Sequence, residues 1–126
     1  MRGLVVAGWL FLAVLHLPPA AALVSPRLIG RLYGVEGAST ASLLLQHRAA
    51  LFLGVAVLCA WAAFSPDVRR PASLLTAVSM LTFLLLYAGG GGSPALRTIA
   101  VADLLGLPVL AFVAWHAFRA MDAPGA

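Results

Sequence analysis

The sequence has no lysine, one glutamate, one cysteine and few charges of either sign. Eight arginines and four acids amount to 10% of the 126 residues and leave a formal charge of +4. A soluble domain carries about 25% charged residues, so this chain has too little polar surface to cover itself in water. The arginines are scattered, which excludes a nucleic-acid-binding face, since such a face needs clustered cations. With Cys59 alone, an intramolecular disulfide and dithiol redox chemistry within one chain are excluded. Cys59 lies in the apolar run 51–64 and reads as a small buried hydrophobe. Enzyme signatures are missing too. There is no His-Glu-x-x-His, no Gly-x-Ser-x-Gly and no paired-cysteine metal motif, and the glycines 89–92 lack the Lys-Ser/Thr of a phosphate loop. No catalytic or metal-ligating residue is assigned, no internal repeat is evident, and the chain reads as non-enzymatic.

What it does contain is apolar side chain: 63% of residues are hydrophobic and the mean hydropathy is +1.03. That excludes disorder and points to an integral membrane protein. About 20 helical residues cross the ~30 Å hydrocarbon layer, and four segments meet that length: 3–23, 40–64, 72–88 and 94–119. Backbone groups facing lipid must be satisfied within their own segment, so these runs are helices; alternation of the barrel kind is absent. The expected architecture is all-α, a single transmembrane domain over 1–126 folded as an up-down four-helix bundle. Ser39 or Thr40 caps the second span, Arg70-Pro71 opens the third, and Ser93-Pro94 opens the fourth. In the first loop, Ser25-Pro26 starts a short amphipathic helix at the membrane surface. Leu28, Ile29, Leu32 and Tyr33 lie on one face of it, and Arg27 and Arg31 on the other.

The N-terminal stretch has two readings. Arg2, an apolar run and Ala20-Ala21-Ala22 resemble a secretory signal with its cleavage site. We read it instead as a retained span, kinked because Pro18 and Pro19 leave carbonyls near Val14 and Leu15 without donors. Arg2, Arg69, Arg70 and Arg119 fall on one side of the membrane, and Arg27, Arg31, Arg48 and Arg97 on the other. Dropping Arg48, which lies within a span, tips this balance toward both termini inside.

Counting along the spans places several polar residues at one depth. His16, Arg48 and Asp103 each fall ~12–14 Å below the same membrane face at 1.5 Å per residue, with Ser79 and Thr82 close to that level. An ionisable group in hydrocarbon costs ~2.5–3.5 kcal/mol on insertion scales, so such groups turn inward and find partners. The expected site is an inward cluster of His16, His47, Arg48 and Asp103, with Glu36 and Gln46 at its mouth. It serves either to fix helix register or to bind a lipid-like or small polar ligand. Two alternatives use the same residues: a redox subunit binding quinone, or haem through His16 and His47, and a proton-coupled carrier titrating Asp103. Trp9, Trp61, Trp115 and Tyr87 are expected in the interfacial aromatic belts and His116 near the opposite face. The small-residue pairs Ala50/Gly54 and Ala102/Gly106 suggest close packing of the second span on the fourth. The bilayer is the first partner, and so thin a bundle suits self-association or service beside a partner membrane subunit.

The runs Ser25-Pro26 to Leu32-Tyr33-Gly34, Gln46-His47-Arg48-Ala49-Ala50-Leu51-Phe52-Leu53-Gly54 and Ala62-Ala63-Phe64-Ser65-Pro66 carry a resemblance over most of the chain. It resembles the small four-helix bacterial membrane proteins of the DoxX-like group, which include members of unknown function. The resemblance implies four transmembrane helices and a bacterial inner-membrane location. It also implies association with quinone-linked oxidoreductases or thiol redox maturation, although this chain lacks a cysteine pair.

Overall fold

The computed structural model describes residues 1–35 and 39–119. They form α1 (Arg2–Leu15), α2 (Leu17–Ala21), α3 (Pro26–Tyr33), α4 (Thr40–Phe64), α5 (Arg69–Gly89) and α6 (Arg97–Arg119). Short 3₁₀ turns, Pro66–Val68 and Pro94–Leu96, lead into α5 and α6. Four helical stretches are long and apolar enough to cross a membrane: Arg2–Ala21, Thr40–Phe64, Pro66–Gly89 and Pro94–Arg119. The chain is a small multi-pass membrane protein.

The four spans form a ring in chain order. The first packs on α4 and on α6, and α6 packs on α5; α4 and α5 close the ring with the sparsest contact of the four neighbouring pairs. The main core joins Val5, Trp9 and Leu12 of α1 with Val55 and Cys59 of α4, Met80 of α5, and Leu110 and Val113 of α6. Lipid is as apolar as leucine, so these helices associate through close packing and polar contacts rather than through the hydrophobic effect. The residue distribution follows. Ala49, Ala56, Ala62, Ala63, Ala72 and Ala100 are buried, while Leu43, Leu44, Leu85, Leu86 and Leu105 face outward.

The first span breaks at His16, as its prolines require. Pro18 and Pro19 have no N–H to offer Val14 and Leu15, and the chain turns through His16 (φ −88°, ψ −6°) before α2 resumes. Ser39 Oγ accepts from Ser42 N at 3.1 Å and caps α4. The third span begins earlier than expected. Arg69, not Pro71, opens α5, because a proline in the first helical turn removes an N–H that has no intrahelical partner anyway. Gly91 (φ 80°) and Gly92 (φ 68°) turn the chain out of α5 through the left-handed region.

The two membrane faces differ. At one, arginines tie off helix ends: Arg69 donates to Ala62 O (2.9 Å) and Ala63 O (3.4 Å), and Arg70 to Ala117 O (3.2 Å) and Phe118 O (3.1 Å). These cations lie at the C-termini of α4 and α6, where the helix dipole favours them. At the other face α3 lies across the bundle end. Ile29 is buried against Ala22 and Ala49, Leu28, Leu32 and Tyr33 are half-buried, and Arg27 and Arg31 are exposed. Its amphipathic pattern is thus used on protein rather than only on lipid.

Two packing expectations are corrected. Trp9 is fully buried in the main core rather than in an interfacial belt, whereas Trp61 and Trp115 are exposed. Trp9 lies mid-helix on the face that meets α4 and α6, and position along the chain alone did not reveal that face. The second and fourth spans are not direct neighbours. Gly106 faces Met80 and Leu15 instead, and Gly54 faces open space.

Candidate functional site

His16 is 2% exposed and points into the bundle from the break between α1 and α2. Its Nδ1 lies 2.8 Å from Leu12 O. A carbonyl only accepts, so Nδ1 carries the proton and Nε2 of the neutral ring is a bare lone pair. That atom is buried and has no partner among the described residues. The ring lies 6.0 Å from that of Phe52, one turn beyond Arg48 on α4.

Arg48 is half-buried, with its guanidinium 5.2 Å from the Phe52 ring centre and 5.4 Å from that of Phe83 on α5. Such cation–π contacts are worth about 0.5–2 kcal/mol, which offsets part of the cost of carrying a cation into the span. Among the described residues the guanidinium makes no hydrogen bond with a protein group. Among the described residues no carboxylate oxygen lies within 4.0 Å of Arg48. Asp103 is 7% exposed and its carboxylate senses the Arg48 charge through space, without a direct bridge.

Tyr33 completes the group, and the sequence reading gave it only a packing role. Its ring joins two clusters, Ala22–Ile29–Ala49 and Phe83–Ile99–Ala100, and its hydroxyl is buried with no partner among the described residues. It lies within electrostatic reach of both Arg48 and Asp103. The one available clue was chemical: a tyrosine on the apolar face of a lid helix brings a hydroxyl that must find a partner when buried.

The expected cluster is therefore rearranged. His16 lies against Phe52, Arg48 lies against Phe52 and Phe83, Tyr33 packs in one cluster with Phe83, and Asp103 is within electrostatic reach of Arg48 and Tyr33. His47 is exposed: one residue along from Arg48, it is turned about 100° away. Gln46 is half-buried, and Glu36 lies outside the described residues. His16 is buried in the bundle, whereas His47 is exposed. His116 is half-buried toward the opposite face, its Nδ1 3.0 Å from Phe112 O.

Beside the cluster a groove of about 950 Å³ runs between α4 and α5. Arg48, Phe52 and Phe83 form one end and Trp61 lines it farther along; Ser79 and Thr82 supply hydroxyls in an otherwise apolar wall of leucines, valines and Gly54. The groove exists because α4 and α5 are the loosely packed side of the ring. It offers an apolar channel with one cation at its end.

Compared with known protein families, curated proteins and solved structures, the chain matches none.

Proposed function

We propose that this protein binds a lipid-like amphiphile. The acyl portion lies in the α4–α5 groove, and an anionic head group meets the N–H edges of Arg48. The observation that carries this reading is the placement of Arg48: a cation about 12 Å along a membrane-spanning helix, held over two aromatic rings at the end of an apolar channel. A phosphate or carboxylate accepts from guanidinium edges in a charge-assisted, bidentate manner. It would also relieve the cost of the buried cation more fully than aromatic faces do. The proposed role is binding of the amphiphile.

The test is native mass spectrometry from mild detergent with chain-matched phosphatidic acid and diacylglycerol. Wild type is expected to retain the anionic lipid, and Arg48→Gln to lose it by about tenfold, as for one charged hydrogen-bonded contact. Arg48→Lys keeps the charge without the bidentate edge and falls between them. Equal retention of both lipids, unchanged in Arg48→Gln, would refute the proposal.

A further inference from the structure

The α4–α5 groove has a definite length and one end that is tied off. Cys59 Sγ on α4 lies 3.3 Å from Thr76 Oγ1 on α5, which sets the register of these two antiparallel helices. Counted from that contact, Leu75 is nearly level with Trp61 and Leu86 with Arg48, so both walls stop at the same two depths. Trp61 is the last lining residue on α4. Its Nε1 donates to Ser65 Oγ at 3.0 Å, which ties the indole to the helix end. Past it the helices are laced together. Arg69 at the start of α5 donates to Ala62 O and Ala63 O of α4, and the turn Pro66–Val68 joins the two. At the other end stands Arg48, the one charged side chain among the described residues that line the groove.

The distance between these ends fixes a tail length. Arg48 precedes Trp61 by thirteen residues, about 20 Å of helix. Its guanidinium lies against Phe52, one turn along, and from Phe52 to Trp61 the helix rises about 14 Å. With C–C bonds of about 1.5 Å at tetrahedral angles, an extended alkyl chain advances about 1.25 Å per carbon. Head and indole are thus separated by the length of about 11–16 carbons.

We infer that the groove measures the tail of its amphiphile and that Trp61 sets the limit. Resting on the amphiphile reading above, the inference adds the tail class: an unbranched chain of about 11–16 carbons. A shorter tail leaves the Trp61 end unfilled and forfeits apolar contacts there. A longer one meets the indole and the tied helix ends, and must buckle or leave the groove.

Octyl, tetradecyl and eicosyl phosphate share one anionic head and differ only in length. They are offered in equal amounts to the full chain in mild detergent and read by native mass spectrometry. Tetradecyl phosphate is expected to exceed each of the others by about tenfold, the lower end of what a mismatched methylene does in an apolar site. Trp61→Ala removes the stop and is expected to raise the eicosyl-to-tetradecyl ratio by about tenfold. Val57 lines the groove one turn nearer the head, so Val57→Phe is expected to raise the octyl-to-tetradecyl ratio instead. Should Trp61→Ala fail to fold, Val57→Phe, at an exposed position, carries the test. Ratios unmoved by either substitution, with binding still lost in Arg48→Gln, would overturn the length inference alone. Binding of all three indifferent to Arg48→Gln would overturn the amphiphile reading beneath it. A dimer that Val57→Phe converts to monomer would give the groove to a second copy of the chain and overturn both.

Discussion

Tyr33 sits outside the spans but under cover, and burial raises its phenol above the usual value near 10. The Arg48 charge opposes that rise and Asp103 adds to it. Folding therefore favours the neutral phenol. Its contribution to stability is complete below about pH 10 and is lost as pH rises through the higher folded value. Thermal unfolding of wild type should weaken on that alkaline limb, and Tyr33→Phe should weaken less; identical alkaline profiles would show that the hydroxyl is not buried. At this scale the sequence was informative about residue type and depth but not about direction. His16, Arg48 and Asp103 were legible as ionisable groups within apolar runs, which must turn inward. That His47 turns outward while its neighbour Arg48 turns toward the groove is a matter of helix rotation. With a nearly featureless apolar pattern along α4, only the neighbours settle it.

The helices meet where side chains are smallest. A Cβ added at Gly8 would come within 2.6 Å of Val113 Cγ1 and 3.4 Å of Val109 Cγ1. Val113 is fully buried and β-branched, so it has nowhere to turn. A Cβ at Gly106 would meet Met80 Cε at 2.6 Å and Leu15 Cδ2 at 3.4 Å, and Cε is the mobile end of an unbranched chain. Replacing glycine by alanine inside a helix returns about 1 kcal/mol, whereas overpacking costs about 1–3 kcal/mol. Gly8→Ala should therefore lower the thermal midpoint in detergent, and Gly106→Ala should leave it nearly unchanged; the reverse order would contradict the α1–α6 contact. Element boundaries were largely readable. Pro18-Pro19 announced the break at His16, Ser39 the α4 cap, and the glycines 89–92 the turn after α5. The start of α5 was misplaced because a first-turn proline marks a helix start only to within a few residues.

For the whole molecule, the decisive feature is unequal closure of the ring. The α1–α4, α1–α6 and α5–α6 sides are tightly packed, and the α4–α5 side leaves the groove. Gly54 lines that groove with nothing within 4 Å of a Cβ placed on it. Gly54→Leu should therefore fold at least as stably as wild type, gaining up to about 1 kcal/mol in helix propensity. Its side chain would occupy the channel and cut retention of phosphatidic acid, read by the same mass spectrometry. A variant that binds undiminished would remove the groove from the binding site. The mutation separates the proposed function from the fold, since it touches neither the core nor the charged cluster.

Composition and run length alone determined that this chain crosses a membrane four times as helices with a small amphipathic helix at one face. In hydrocarbon every backbone polar group must be satisfied locally, which leaves few alternatives to a run of twenty apolar residues. Which helices touch, which way Trp9 and His47 point, and that Tyr33 joins the polar cluster were decided only by the tertiary structure. Uniformly apolar helices carry little moment to orient them, and in lipid their partners are chosen by shape, through close fits such as Gly8 against Val113. Shape of that kind exists only once the neighbouring helix is in place.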